Sequence, residues 1–334
     1  MNETSQCIGV ERNDVILICK YQSKKKVCKS KGENSSPENS MHNRRNLIKG
    51  AGLVLGAGAL SVISHPAKAV TAIDKVGANA TSYDSILDKA IDSKKISFGV
   101  DLGFAPLQYK TANGTPTGYI IDLANKLAAS LGATPVWVEI PFGELFAAQA
   151  AGKFDMSGIA ATIKPARAQK VLFSGAPAFV ESNVVLLKKG FAIKSLSELN
   201  SAKVTIAVVV GSSQESAAVL LYPKAKLKRL ENQAALADVG AGRSNAMLVG
   251  EFEVAGAIKA YPGTTVFKAA PVFVDENSFF MPAGDYRMKH YVDTWLRYET
   301  SHNNLAGLWD SYVGNDARKL GLQSFSVKSA YANS

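Results

Sequence analysis

The run Ala207-Val208-Val209-Val210 constrains the fold more than any other stretch. Four consecutive apolar residues in a strand place hydrophobic groups on both faces. Such a strand is at home in a sheet covered by helices on both sides. The run ends a predicted strand, Val204 to Val210. Gly211 then breaks it, and Ser212 with Glu215 three residues on reads as a capping box that opens a helix to Leu221.

The same order of strand and helix recurs along the chain. Ile96–Val100 and Val136–Val138 read as strands, and Gly118–Leu131 as an amphipathic helix with Ile120, Leu123, Ala124, Leu127 and Ala128 on one face. A helix is expected over Phe142–Ala151, a strand over Val184–Leu187 and a short helix after the capping box Ser195-Leu196-Ser197-Glu198. A second series follows: a helix over Gln233–Val239, a strand over Ala246–Val249 and a helix over Glu251–Ala260. A strand near Phe279 and helices over 285–300 and 303–313 close it. The fold class is therefore α/β with largely parallel sheets, in two lobes. Ligands of open α/β sheets bind beyond the carboxyl ends of the strands, so the cleft between lobes is the expected site.

The chain has 334 residues and a net charge of +10, with 47% hydrophobic and 20% charged residues. Disordered and collagen-like classes do not have this composition. The charge is uneven: residues 1–69 hold 11 Lys and Arg against 5 acids, so the remaining 265 hold 27 against 23. That near-balance argues against nucleic acid as a partner. Residues 43–69, NRRNLIKGAGLVLGAGALSVISHPAKA, have the layout of a secretory signal. Arg44-Arg45, two aliphatics and Lys49 resemble a twin-arginine signal. The uncharged stretch is too short to span a bilayer comfortably, and Ala67 and Ala69 fit cleavage before Val70. Residues 1–40 sit oddly ahead of a signal, and Met41 is read as the true start. Cys7, Cys19 and Cys28 all lie upstream of it, so the exported part has no disulfide framework. Periplasmic localisation is expected, and no cofactor or metal is.

Three segments carry chemistry. In Val204–Glu215, free backbone N–H groups at the helix start, with Ser212 and Ser213, favour an anion. In Asp155–Arg167, DMSGIAATIKPAR, the small residues Ala160 and Ala161 let a ligand approach the backbone, with Thr162 beside them. Arg167 offers a planar fork for a carboxylate. In Val100–Leu107, VDLGFAPL, Asp101 ends a buried strand, where a carboxylate needs a purpose. Phe104, with Phe142, can wall the apolar part of a ligand.

These segments resemble the bacterial family 3 solute-binding proteins, the extracytoplasmic amino-acid receptors of ABC importers. VDLGFAPL, GYIIDLANKLAASLG, GKFDMSGIAATIKPAR, Phe173-Ser174, VGSSQE and GAGRSNAMLV follow one another in that family's order over residues 83–314. The resemblance implies a two-lobed periplasmic-binding fold of type II, with residues 70–182 and 276–334 as one lobe and 183–275 as the other. It implies that Arg167, Thr162, Ala160, Ser212 and Ser213 hold a ligand carboxylate, that Phe104 and Phe142 wall the ligand, and that Asp101 meets its side chain. The partners implied are an amino acid and a membrane permease, and the protein is expected to be a monomer. A polar or basic amino acid is favoured by Asp101 with the two phenylalanines.

One position departs from the family pattern. The aspartate that usually holds the ligand's α-ammonium falls at Gly250, followed by Glu251 and, two further on, Glu253. Either Glu251 takes over or the ligand is a carboxylate without an α-amine, because an ammonium buried without an anion costs several kcal/mol, of order 2–5. The alternative is a periplasmic dehydratase of the cyclohexadienyl type, acting on prephenate or arogenate with a cleft acid as proton donor.

Overall fold

The computed structural model describes residues 83–268 and 270–328. The signal peptide, the start at Met41 and the three cysteines lie outside the described residues.

The chain opens with α1 (Ile86–Ser93), β1 (Lys95–Val100) and a small antiparallel sheet of β2 (Gly103–Phe104), β3 (Gln108–Lys110) and β4 (Pro116–Thr117). Next come α2 (Tyr119–Ser130), β5 (Thr134–Glu139), a 3-10 turn Phe142–Glu144, α3 (Leu145–Ala150), β6 (Met156–Ser157), β7 (Ala161–Thr162), α4 (Pro165–Ala168) and β8 (Val171–Phe173). The long β9 (Phe179–Leu187) leads into the second series. That series holds a 3-10 turn Leu196–Leu199, β10 (Thr205–Val209), α5 (Ser213–Leu221), β11 (Lys226–Leu230), α6 (Asn232–Gly240), β12 (Ala246–Gly250), α7 (Glu251–Ala260) and β13 (Thr265–Val266). β14 (Phe273–Ser278) and β15 (Phe280–Pro282) lead back to α8 (Tyr286–Ser301), α9 (Asn304–Trp309), a π turn Asp310–Gly314 and α10 (Asn315–Lys319).

The architecture is two-lobed α/β. One lobe is built on the parallel sheet β5-β1-β6, and the other on β11-β10-β12, also parallel. The largely parallel sheets expected from the sequence carry antiparallel strands where the lobes join: β9 runs antiparallel to β12, β13 and β14, and β14 pairs antiparallel with β7. β9 and β14 thus carry the chain across from one lobe to the other and back. The apolar run behaves as its pattern requires. Ala207 and Val209 pack with Val239 of α6 and Val254 of α7, while Ile206 and Val208 pack on the other face with Ala218 of α5 and Tyr222. On α2 the residues at helical spacing, Ile120, Leu123, Ala124 and Leu127, are fully buried against Phe98, Trp295 and Trp309. Removing one such leucine side chain costs about 2–5 kcal/mol.

One predicted element differs and one was not foreseen. The helix over Phe142–Ala151 is a 3-10 turn followed by a six-residue α3, with Gly143 in the turn. β11, KLKRL, is a strand that the sequence did not suggest, because Arg229 between Lys228 and Leu230 breaks the apolar alternation. It lies at the sheet edge, where charged side chains discourage pairing with another chain.

Candidate functional site

A cleft opens between the lobes, lined by Phe104, Phe142, Ala160, Thr162, Arg167, Ser212 and Ser213 among others. Seven of the nine residues singled out from the sequence are therefore brought together on one wall system. The other two, Asp101 and Glu251, are not.

Arg167 is placed by α4, a single turn with Pro165 at its first position. Its side chain is 5% exposed and spans the lobes: Nη1 donates to the Thr162 carbonyl at 3.0 Å and Nη2 to the Gly211 carbonyl at 3.0 Å. The guanidinium lies over the Phe146 ring at 4.8 Å and the Phe142 ring at 5.4 Å. Burial lowers its pKa to about 10, against the opposing pull of Asp275 and Glu181, so it stays charged at neutral pH. Among the described residues no carboxylate forms an ion pair with it. A buried cation held only by carbonyls is suited to an anion that arrives with a ligand.

The start of α5 completes this end. Gly211 takes a left-handed φ of +75°, which turns the chain sharply out of β10. The Ser212 hydroxyl accepts from the Glu215 N–H at 3.0 Å, as the cap predicts. The return bond is displaced by one residue, since the Glu215 carboxylate accepts from the Gly211 N–H at 2.8 Å. Across the cleft, the Thr162 hydroxyl donates to Ser213 Oγ at 3.3 Å. The wall opposite is aromatic, with Phe104 and Phe142 at 5.6 Å between centroids.

Asp101 corrects its expected role. One carboxylate oxygen accepts from the Gly103 N–H at 2.9 Å and the other from the Phe142 N–H at 2.7 Å. It does not line the cleft. It ties the two phenylalanine-bearing segments to each other, and burial raises its pKa in spite of those bonds.

Glu251 corrects its role as well. It is the first residue of α7, 1% exposed, and its carboxylate accepts from the Ser182 N–H at 2.9 Å and from Ser324 Oγ at 3.1 Å. It too is absent from the cleft wall. Successive helical residues are turned by about 100°, so position 251 cannot present its side chain where position 250 would. Burial raises its pKa to about 8.

The acids that do line the cleft are Glu181 on β9 and Glu253 on α7, both almost wholly buried. Glu181 accepts from Gln214 Nε2 at 2.8 Å and from Asn277 Nδ2 at 3.4 Å. Its pKa is well above the carboxylate range, first through burial and then through the neighbouring Asp275, Glu251 and Glu253. Glu253 accepts from Asn232 Nδ2, and burial raises its pKa to about 8. Neither has a cationic partner among the described residues. Two more acceptors in the same wall, Gln108 Oε1 and Asn232 Oδ1, are buried with no hydrogen-bond donor. Asn232 Nδ2 already donates to Glu253 and, at 2.9 Å, to the Gly103 carbonyl, which fixes the amide with its oxygen free. The sequence did hold a signal for Glu181: an acid within the otherwise strand-like FVESNVVLL.

The model of the bacterial extracellular solute-binding proteins, family 3, matches residues 96–315. The chain belongs to that family. The cyclohexadienyl dehydratase of Pseudomonas aeruginosa is 26% identical over 225 residues, which is 66% of this chain and 82% of that protein. The lysine/arginine/ornithine-binding periplasmic protein of Escherichia coli is 26% identical over 195 residues, 55% of this chain and 72% of that one. The chain spans about half the length, 46%, of the histidine-binding periplasmic protein of Salmonella typhimurium, at 28% identity. Among solved structures, an ancestral amino acid-binding protein described as a precursor of cyclohexadienyl dehydratase superposes with a TM-score of 0.64 at 31% identity. It covers 69% of this chain and all of that one. Among the described residues no helix is long and apolar enough to cross a membrane.

Proposed function

We propose that this protein is a periplasmic receptor that captures an amino acid with a cationic side chain and delivers it, as a monomer, to the membrane permease of an ABC importer. The observation that carries the reading is a set of unpartnered ionisable groups in one cleft: a charged Arg167, and two buried carboxyls that hold protons until a cation displaces them. Arg167 has no carboxylate partner, and Glu181 and Glu253 have no cationic partner, among the described residues. A ligand with one carboxylate and two cationic groups complements that set, and a basic amino acid has these groups. The donor-less Gln108 and Asn232 oxygens favour a side chain rich in N–H groups. The lysine/arginine/ornithine-binding relative is consistent with this class. In this reading the leader is removed near Ala69 and the lobes divide at 182/183 and 275/276, except that Ala317 and Leu322, after Trp309, pack against the second lobe.

The test is a thermal-shift screen of the purified protein against the twenty amino acids and ornithine. Ligand at ~1,000 times Kd stabilises by about 4 kcal/mol. Shifts confined to lysine, arginine, ornithine or histidine are expected, and a response only to neutral or acidic amino acids would sink the charge argument.

One observation favours a second reading. Glu253 holds its proton up to about pH 8 in a cleft with aromatic walls, as a general acid for a dehydratase would need. The cyclohexadienyl dehydratase relative supports it. Turnover of prephenate or arogenate would decide for catalysis, and stoichiometric binding of a basic amino acid with no product decides for the receptor.

A further inference from the structure

Gly250 is a glycine for a spatial reason. It ends β12, where it pairs with Asn183 of β9. A Cβ built at position 250 would stand 2.5 Å from Glu181 Oε1 and would collide with the Phe252 ring. Any side chain there competes for the volume that the Glu181 carboxylate fills. Glu181 and Asn183 lie two apart on β9 and so share a face. Gln214 Nε2 holds both, at 2.8 Å from Glu181 Oε1 and 2.7 Å from Asn183 Oδ1.

Gln214 also fixes where this carboxylate sits relative to the anion end of the cleft. It follows Ser213 directly in the first turn of α5, and Ser213 meets Thr162, whose carbonyl holds Arg167. Glu181 is thus one residue removed, through a hydrogen bond, from the groups that face a ligand carboxylate. In an amino acid the α-ammonium is separated from the carboxylate by a single carbon. Two other acids are placed differently. Glu253 is bonded to Asn232, which is tied to Gly103. Asp275 is partly exposed, accepts weakly from Thr162 at 3.4 Å and Asn183 at 3.5 Å, and does not line the cleft.

We propose that the Glu181 carboxylate, admitted by the absence of a side chain at Gly250, is the anion that holds the ligand's α-ammonium. The anion has moved from the β12–α7 junction to the facing strand β9, and Glu253 is left for the ligand's side chain. The inference rests on the receptor reading above, and the following experiment separates the two.

Titration calorimetry uses two matched pairs: L-lysine with 6-aminohexanoate, and L-arginine with 5-guanidinopentanoate. The second member of each pair keeps both end groups and lacks only the α-amine. Native protein is expected to prefer the amino acid of at least one pair by about 30-fold or more. Glu181→Gln, close to isosteric, should abolish that preference by weakening the amino acid alone, with the deaminated probe changed less than about threefold. Gly250→Ala should act in the same direction by displacing the carboxylate, and Asp275→Asn should leave the preference intact. Thermal melts of each variant establish that it is folded. A Glu181→Gln protein that keeps the preference, or that weakens both members equally, overturns the assignment while leaving the receptor reading standing. Native protein that binds the deaminated probes as well as the amino acids overturns it too. Native protein that binds none of the four, nor ornithine nor histidine, overturns both.

Discussion

The two ends of the cleft are built by different means. The end around Arg167 is local in sequence: Ala160, Thr162 and Arg167 fall within eight residues, and Gly211, Ser212 and Ser213 are consecutive. Its binding capacity comes from the Arg167 guanidinium, which backbone carbonyls hold in place, and from the start of α5. The acidic end is assembled from β9, α7, α6 and β3, which meet only in the folded chain. Its capacity comes from side chains alone. The difference teaches that anion recognition here is a property of the local chain path, whereas cation recognition depends on which residues the topology makes neighbours.

The sharpest way to break this comparison is Arg167→Ala. It should lower affinity for a basic amino acid by more than about 100-fold, since two or more charged hydrogen bonds of roughly 1.5–3 kcal/mol each are lost. Unchanged affinity by titration calorimetry would remove the anion end altogether. Glu253→Gln is the counterpart at the acidic end. An approximately tenfold loss for L-lysine is expected, with little change for L-norleucine, which has the stem without the charge.

Proton linkage sharpens the contrast further. In free protein Glu253 is raised to about 8, so a bound cation must drive a proton off it below that pH. Affinity for L-lysine should therefore climb from pH 6 to pH 8, by at most about tenfold per pH unit, and level off above. Buffers of different ionisation enthalpy would report the released proton, and a flat profile would mean that Glu253 does not face the cation. The free protein should show the reverse trend in stability. Glu251 and Glu253 keep protons in the folded state that the unfolded chain, near 4.5, gives up. Their contribution is complete below about pH 4.5 and is lost as pH rises to about 8, which thermal melts across that range would show. The smallest effect belongs to Asp101→Asn. It loosens two backbone bonds and should cost about 1 kcal/mol in stability, with only a few-fold weaker binding as Phe104 and Phe142 lose their register.

The same division explains what could be read in the sequence. The α/β alternation, the doubly apolar β10, the Ser212 cap and the Arg167 wall are patterns over a few residues, and local chemistry determines them. Glu251 was a reasonable candidate because it adjoins Gly250. A helix turns each residue away from its neighbour, and Ser182 and Ser324 are where its carboxylate arrives. Asp101 was recognised as a buried acid with a purpose, but its partners proved to be the N–H groups of Gly103 and Phe142. Gln108 and Asn232 carry no pattern that marks them, and Glu181 only the oddity of an acid within a strand, since their meaning comes from strands and helices distant in the chain. Gly250 was noticed as a missing acid. Only the packing shows what occupies the space in its place.

The end of the described chain bears on how the lobes move. Ala317 and Leu322 pack into the second lobe with Val184 and Val254, and Trp309, in the core of the first, donates from Nε1 to Ser324 at 2.9 Å. Phe325 then forms a bridge with Val180 on β9. Counting this segment, three passages of chain join the lobes rather than two, and a joint with three straps resists twisting more than one with two. The expected consequence is a swing confined to a narrow arc about one axis, like a door hung on a stiff piano hinge.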